Sequence, residues 1–228
     1  MQDQKVIVIG GSSGIGLAVA EACVAAGAAV TIVGRNAARL AAARVAARKL
    51  SADVTLEDDV QRLFDVPVHH VVLTAVDARY TPVRDGNVAD WRRTLDSKIV
   101  AALLIAKHAR FEPGGSLLLT GGVAAHRPAP GGAVVAAANG AVEALTRALC
   151  VELRPVRVNA VSPGWVDTAI WDTLAGDGKG EVFARHAERL PVGRMGQPAD
   201  VAAAALFLLS CGFATGSVLH VDGGHRLV

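Results

Sequence analysis

KVIVIGGSSGIG, residues 5–16, sets an apolar run that reads as a buried strand directly before a glycine turn, after which the chain restarts as LAVAEACVAAG, residues 17–27, with helical spacing. Strand, turn and helix in that order form a phosphate-cradling loop. Gly10, Gly14 and Gly16 permit a tight turn, close approach of the backbone to a pyrophosphate, and close packing of helix on strand. Ser12, Ser13 and Ile15 fill out the loop, and the free N–H groups at the helix start face an anion. The spacing is Gly-x-x-x-Gly-x-Gly. A glycine triplet alone also fits an ordinary strand-to-helix turn; the flanking elements favour the phosphate loop.

The remaining composition points to one domain. A chain of 228 residues buries roughly 70% of its unfolded surface, so no disulfide or metal staple is required. The net charge is +2, and no basic block with interleaved aromatics occurs, which argues against a nucleic-acid partner. Cys23, Cys150 and Cys211 lie far apart in apolar helical contexts and read as reduced core residues, suiting a cytoplasmic location. No signal peptide and no uninterrupted apolar stretch of membrane-spanning length is expected. His69, His70, His220 and His225 show no ligand spacing for a metal.

Strand-like runs at 5–10, 29–34, 70–75, 115–120, 156–161 and 217–221 alternate with helical patterns near 14–26, 36–48, 56–65, 88–110, 133–153 and 198–210. Such alternation predicts an α/β fold of Rossmann type, a doubly wound parallel sheet with helices on both faces, spanning residues 1–228 as a single domain. Right-handed crossovers then place a ligand at the carboxyl ends of the strands, near the switch in strand order.

Further residues fall where a dinucleotide needs them. The second strand ends in Gly34-Arg35-Asn36, where an acidic side chain would serve an unmodified ribose 2′-hydroxyl. Arg35 offers a cation instead, which favours a 2′-phosphate and hence NADP(H); a solvated arginine is the alternative. Asp53 and Val54, in SADV, precede TLEDDVQRLF, and Asp53 either accepts from the adenine amino group or holds a turn.

With these residues in hand, the chain resembles the short-chain dehydrogenase/reductase family across almost its whole length. GGSSGIG, VGRN, ADVT, VRVNAVSPGWVDT and ATGSVLHVDGG follow the family pattern in order. The resemblance implies that Pro163, Gly164, Val166 and Thr168 hold the nicotinamide carboxamide and nearby phosphates, and that residues 169–190 form a mobile substrate lid, for which their length and glycine content also argue. It also implies a small-molecule substrate and a homodimer or homotetramer built on the helices at 88–110 and 133–153, whose apolar faces are broad.

Set against that pattern, the four side chains that carry the family's chemistry are replaced. The Tyr and Lys positions read Val135 and Asn139, the Ser position Gly122, and the Asn position Lys98; the single tyrosine is Tyr80, far from the required place. The family's Asn-Asn-Ala-Gly turn reads Leu73-Thr74-Ala75-Val76. Hydride delivery to a carbonyl develops an alkoxide that a tyrosine stabilises by proton donation, and a valine does not. Losing general acid catalysis costs about 10²–10⁴-fold, and losing an oxyanion donor about 10²–10³-fold, so ordinary carbonyl reduction is not expected. The Lys and Asn identities look exchanged, which predicts that the Lys98 ammonium enters the same polar pocket from the other helix, beside Asn139. His126, after the strand at 115–120, is a further candidate proton shuttle at the cleft rim, with Arg127, Asp77, Arg79, Tyr80 and Thr120 as weaker neighbours.

Three functional classes follow. The chain is an NADP(H)-dependent oxidoreductase acting on an iminium or an activated double bond, a non-redox enzyme such as an isomerase, dehydratase or cyclase, or a cofactor-binding pseudoenzyme scaffold.

Overall fold

Lys5–Ile9 form β1, and the alternation along it sets the layering: Val6 and Val8 face one core, Ile7 and Ile9 the other. The computed structural model describes residues 1–228, the side chains of Thr173 and Leu174 excepted. After β1 come α1 (Gly14–Ala25), β2 (Ala29–Gly34), α2 (Ala37–Ala42), β3 (Arg48–Ser51), α3 (Glu57–Leu63), β4 (Val68–Leu73) and α4 (Val88–Leu95). A π-helical turn (Asp96–Val100) leads into α5 (Ala101–His108), then β5 (Phe111–Thr120), α6 (Ala133–Glu152), β6 (Arg157–Pro163), α7 (Ile170–Leu174), α8 (Lys179–Arg189), α9 (Pro198–Ser210) and β7 (Val218–Val221).

All strand pairs are parallel, in the order β3-β2-β1-β4-β5-β6-β7. The order reverses between β1 and β4, and that switch opens a crevice at the strands' carboxyl ends. On one face Val6, Val8, Ile32, Val72 and Leu118 meet α1, α2 and α9 through Val19, Leu40, Val201 and Leu208. On the other, Ile9, Val71, Leu117 and Leu119 meet α3, α5 and α6 through Val60, Ile105, Val142 and Leu149. Each such aliphatic side chain contributes about 1.5–3 kcal/mol on full burial. Helix α6 is long and apolar enough to cross a membrane by length and composition alone, yet it lies along β5 and β6 with Val135, Ala138, Val142 and Leu149 buried.

Two expected elements differ. The helix expected over 36–48 ends at Ala42, and Arg48–Ser51 pair with β2 as an edge strand. The alanine-rich segment has helical propensity, but a free β2 edge provides backbone partners that propensity does not weigh. Lys49 fastens the return by donating to the carbonyls of Ala41 and Ala43. The helix expected over 88–110 is interrupted by the π-helical turn, which carries Lys98.

At the sheet's amino end, His70 lies buried between Ser116 Oγ (2.8 Å) and Gln4 Oε1 (3.2 Å). Burial pulls its imidazole down to about 4, helped by Arg157 and His69. Its folded form therefore binds fewer protons than the unfolded chain, whose histidines titrate near 6.5. Stability from this group is complete above pH 6.5 and falls as pH drops toward 4. Urea unfolding at pH 7 and pH 4 should show a decline about 3 kcal/mol shallower in His70→Gln than in the parent chain; equal declines would show that His70 is not the acid-sensitive group.

Candidate active site

The crevice holds a cleft of about 920 Å³, toward the upper end of the roughly 300–1,000 Å³ of small-molecule sites. Its first wall is the glycine turn. Gly10 and Gly14 adopt φ of +88° and +54°, in the left-handed region that suits glycine. A Cβ on Gly16 would lie 2.3 Å from the Gly10 carbonyl oxygen, and one on Gly10 would lie 2.6 Å from the Ala75 nitrogen. Helix α1 thereby starts flush against the ends of β1 and β4. Ser12, Ser13, Ile15 and Gly16 all line the cleft.

At the far end lie Arg35, Asn36, Arg39, Asp53 and Val54. Arg35 pairs with Asp77 at 3.3 Å, and Asp77 also holds Arg79 at 3.1 Å. Arg39, a second cation, is brought here because Asn36 caps α2 by accepting from the Arg39 amide at 2.9 Å; the Arg35-x-x-x-Arg39 spacing was its sequence signal. Asp53 Oδ1 accepts from the Thr55 amide (3.0 Å) and hydroxyl (2.7 Å), so Asp53 holds a turn. Its Oδ2 makes no protein hydrogen bond among the described residues.

The opposite wall is Pro163, Gly164, Val166 and Thr168. A Cβ on Gly164 would lie 2.8 Å from the Asp222 Cα, and one on Gly14 would lie 3.2 Å from Thr168 Cγ2, so this wall closes on the glycine turn. Residues 169–190 form α7 and α8, fixed by aromatic contacts. Trp171 donates to the Val166 carbonyl at 3.0 Å and packs on Trp165 (4.4 Å between rings) and Phe183 (5.4 Å). Lys179 ties the segment by ion pairs to Asp167 and Asp172.

Lys98 and Asn139 both line the cleft floor. Lys98 is only 7% exposed, and its Nζ donates to the carbonyls of Thr120 (2.8 Å) and Gly121 (3.0 Å). An ammonium has three N–H donors, so one remains. Burial pulls it from its ordinary range down to about 8. Asn139, also buried, lines the same floor with Val135 and Gly122, and its Oδ1, like Thr120 Oγ1, is buried without a hydrogen-bond partner. His126 stands elsewhere: its Nε2 meets Glu143 Oε1 at 2.8 Å and its ring abuts His220, while the cleft is lined by its neighbours Ala124 and Arg127. The exposed imidazole found a carboxylate on α6 that the local sequence around it does not reveal.

With that geometry, the comparisons with known proteins agree. A family model described as enoyl-(acyl carrier protein) reductase matches residues 9–226. The short-chain dehydrogenase/reductase malC of Malbranchea aurantiaca is 32% identical over 100% of this chain and 96% of its own length. Its solved structure, described as a reductase/Diels-Alderase, superposes with a TM-score of 0.93, covering 100% and 98% of the two chains at 31% identity. A small-chain dehydrogenase solved in complex with NADPH is 31% identical, with a TM-score of 0.87 and full coverage of both chains. The 2-(S)-hydroxypropyl-CoM dehydrogenase 3 of Xanthobacter autotrophicus is 34% identical over 98% of this chain and 97% of its own. The chain belongs to the short-chain dehydrogenase/reductase family.

The glycine contacts yield a stability test. Gly16→Ala, despite alanine's better helix propensity, forces a backbone clash and should lower stability in urea unfolding by about 1–3 kcal/mol. Gly34→Ala, whose Cβ would approach no atom closer than 3.7 Å, should stay within about 0.5 kcal/mol of the parent. Equal tolerance of both would mean that close backbone approach at the turn is not a constraint.

Proposed function

We propose that this chain is an NADP(H)-dependent reductase whose active centre has been rebuilt around Lys98. The fit to the dinucleotide rests on the turn held by Gly10, Gly14 and Gly16, where added Cβ atoms meet backbone or the facing wall, and on the pair of cations at the adenosine end. Arg35 and Arg39 would hold a 2′-phosphate, which competes with Asp77 for the Arg35 guanidinium. When bound, the cofactor supplies hydride. Pro163, Gly164, Val166 and Thr168 would orient its nicotinamide end, and Ser12, Ser13 and Ile15 its phosphates.

The observation that carries the catalytic reading is the buried Lys98 ammonium on the cleft floor that Asn139 also lines. In the family pattern a Tyr, a Lys, a Ser and an Asn would act; the corresponding residues here are Val135, Asn139, Gly122 and Lys98. Lys98 presents one unused N–H and a positive charge in a low-dielectric floor, where charge stabilisation is strong. A positive floor opposes an iminium and favours an activated double bond, because hydride addition to the latter develops negative charge on a conjugated oxygen. Lys98 then stabilises that oxygen, and with its ammonium near neutrality it can also release a proton to it.

A second reading draws on the relative described as a reductase/Diels-Alderase: the same cleft would serve a cyclisation without net redox chemistry, with Lys98 polarising a carbonyl. We further propose a homo-oligomer, since Val100 and Leu103 remain exposed along the segment that includes α5.

Calorimetry should show NADPH binding at least tenfold tighter than NADH, with the gap reduced in Arg35→Ser. Enone reduction followed by loss of NADPH absorbance should fall about 10²–10⁴-fold in Lys98→Met, with NADPH affinity retained. NADPH binding without turnover on enones would transfer the assignment to the non-redox reading, and absence of NADPH binding would overturn the reductase reading.

A further inference from the structure

The cleft carries few groups that can exchange a proton. Of the side chains that commonly do so in catalysis, histidine, glutamate and cysteine are absent from its lining among the described residues. Asp53 lies at the adenosine end, which leaves Lys98 on the floor and Tyr80, the chain's single tyrosine. Tyr80 belongs to the segment between β4 and α4, and that segment is fastened on both sides. Before it, the Asp77 amide donates to Ser97 Oγ at 3.0 Å, and Thr94 Oγ1 donates to the Asp77 carbonyl at 3.0 Å. After it, the Thr81 amide donates to the Gly131 carbonyl at 2.9 Å. The chain is thus tied to α4 and the π-helical turn on one side of Tyr80, and to the approach to α6 on the other.

These ties set the Tyr80 ring against the start of α6. A Cβ on Gly132, the residue that opens α6, would lie 3.8 Å from Tyr80 Cδ1. Val135 follows Gly132 by three residues, about one helical turn, and lines the same cleft. Val135 occupies the position that the family pattern gives to a tyrosine, so a phenol reaches this end of α6 from another segment. The Tyr80 hydroxyl has no hydrogen-bond partner among the described residues. The residue as a whole is 46% exposed, yet burial pushes its phenol above the ordinary value. The phenol is therefore protonated at neutral pH, and water has access to the residue. An acid of that kind keeps its proton until a strong base forms beside it, and the α-carbon of an enolate is such a base.

We propose that Tyr80 is a catalytic residue, the acid that delivers the proton to carbon when an activated double bond is reduced in the cleft. The inference rests on the reductase reading above. The double bond takes hydride at its β-carbon, and its π electrons move onto the conjugated oxygen, where the Lys98 ammonium stabilises the enolate. The Tyr80 O–H bond then breaks, and its proton forms the new C–H bond at the α-carbon as the enolate returns to the ketone. Water gives a proton back to the Tyr80 phenolate. The sum is one hydride and one proton added across the double bond, with the nicotinamide oxidised. Oxygen needs a positive charge and carbon needs a neutral acid, and the lining holds one of each.

The test uses α-methylcyclohexenone, whose α-carbon becomes a stereocentre on reduction. With NADPH the parent chain should yield mainly one enantiomer of the saturated ketone. Tyr80→Phe should lower kcat about 10²–10⁴-fold while NADPH affinity by calorimetry stays that of the parent. Its residual product should contain both enantiomers in similar amounts, because solvent then protonates either face of the enolate, a change that a structural role for the ring would not produce. A readout without turnover uses the fact that Tyr80 is the only tyrosine: tyrosine isotopically labelled at Cζ gives a single resonance, which should shift saturably as the saturated ketone is titrated into the full chain. An unmoved resonance would overturn the proposal, and so would Tyr80→Phe that keeps the parent's kcat and enantiomer ratio. The second result removes the donor and keeps the reductase reading, whereas a parent chain that binds NADPH and leaves the enone unreduced removes the reading and the donor with it.

Discussion

Everything in the cleft depends on the backbone contact at the switch point between β1 and β4. There the chain passes so close to itself that Gly10 and Gly16 have no room for a side chain: the nearest obstacles are the Ala75 nitrogen, the Thr74 hydroxyl and the Gly10 carbonyl. Thr74 secures the contact by donating its hydroxyl to the Ile9 carbonyl at 2.9 Å. Because α1 then begins at the strand ends, its unpaired amides open into the crevice instead of into the helix packing. A bulkier turn would move α1 away and fill the space that a pyrophosphate would occupy.

The floor of the cleft behaves as one coupled unit. A Cβ on Gly122 would sit 2.8 Å from Asn139 Nδ2, so the amide at 139 and the missing side chain at 122 are two sides of one packing solution. Lys98 reaches the same floor because the π-helical turn at Asp96–Val100 interrupts the helix that carries it. Its burial is costly: an ammonium held at about 8 against an ordinary value near 10.4 represents about 3 kcal/mol. The cost is present below pH 8, where the amine is charged in both the folded and the unfolded chain, and is relieved as pH rises toward the unfolded value. Two backbone carbonyls offset part of it. A stability cost retained in a cleft floor that also holds unmatched Asn139 and Thr120 oxygens is the pattern of a working site.

Where local pattern decides structure, the sequence was readable. The glycine turn, six of the seven strands and both layers of helices follow from spacing and alternation, because each is set by residues adjacent in the chain; the inward Lys98 came from the resemblance, which puts it at the position of the family's Asn. What escaped was set by distant partners. The edge strand Arg48–Ser51 has no apolar alternation, since it is exposed along most of its length, and only the open side of β2 makes it a strand. His126 turned to a carboxylate on α6. His186 and His225 meet only because α8 folds back across Trp165, and no local motif marks either histidine.

In the proposed reading, the electrostatics of the cleft narrow the chemistry further than the replacement of the family's side chains does. Removing a tyrosine acid from a hydride-transfer site leaves two kinds of acceptor: one already cationic, and one that passes negative charge to a remote oxygen. The first requires a neutral or negative floor, and here the floor is a buried ammonium flanked by carbonyl oxygens that it already occupies. The second requires a fixed positive charge that is in place before reaction and loses no reorganisation energy when the oxygen becomes anionic. In the proposed reading Lys98, buried on the floor with one N–H beyond its two carbonyl partners, is such a charge.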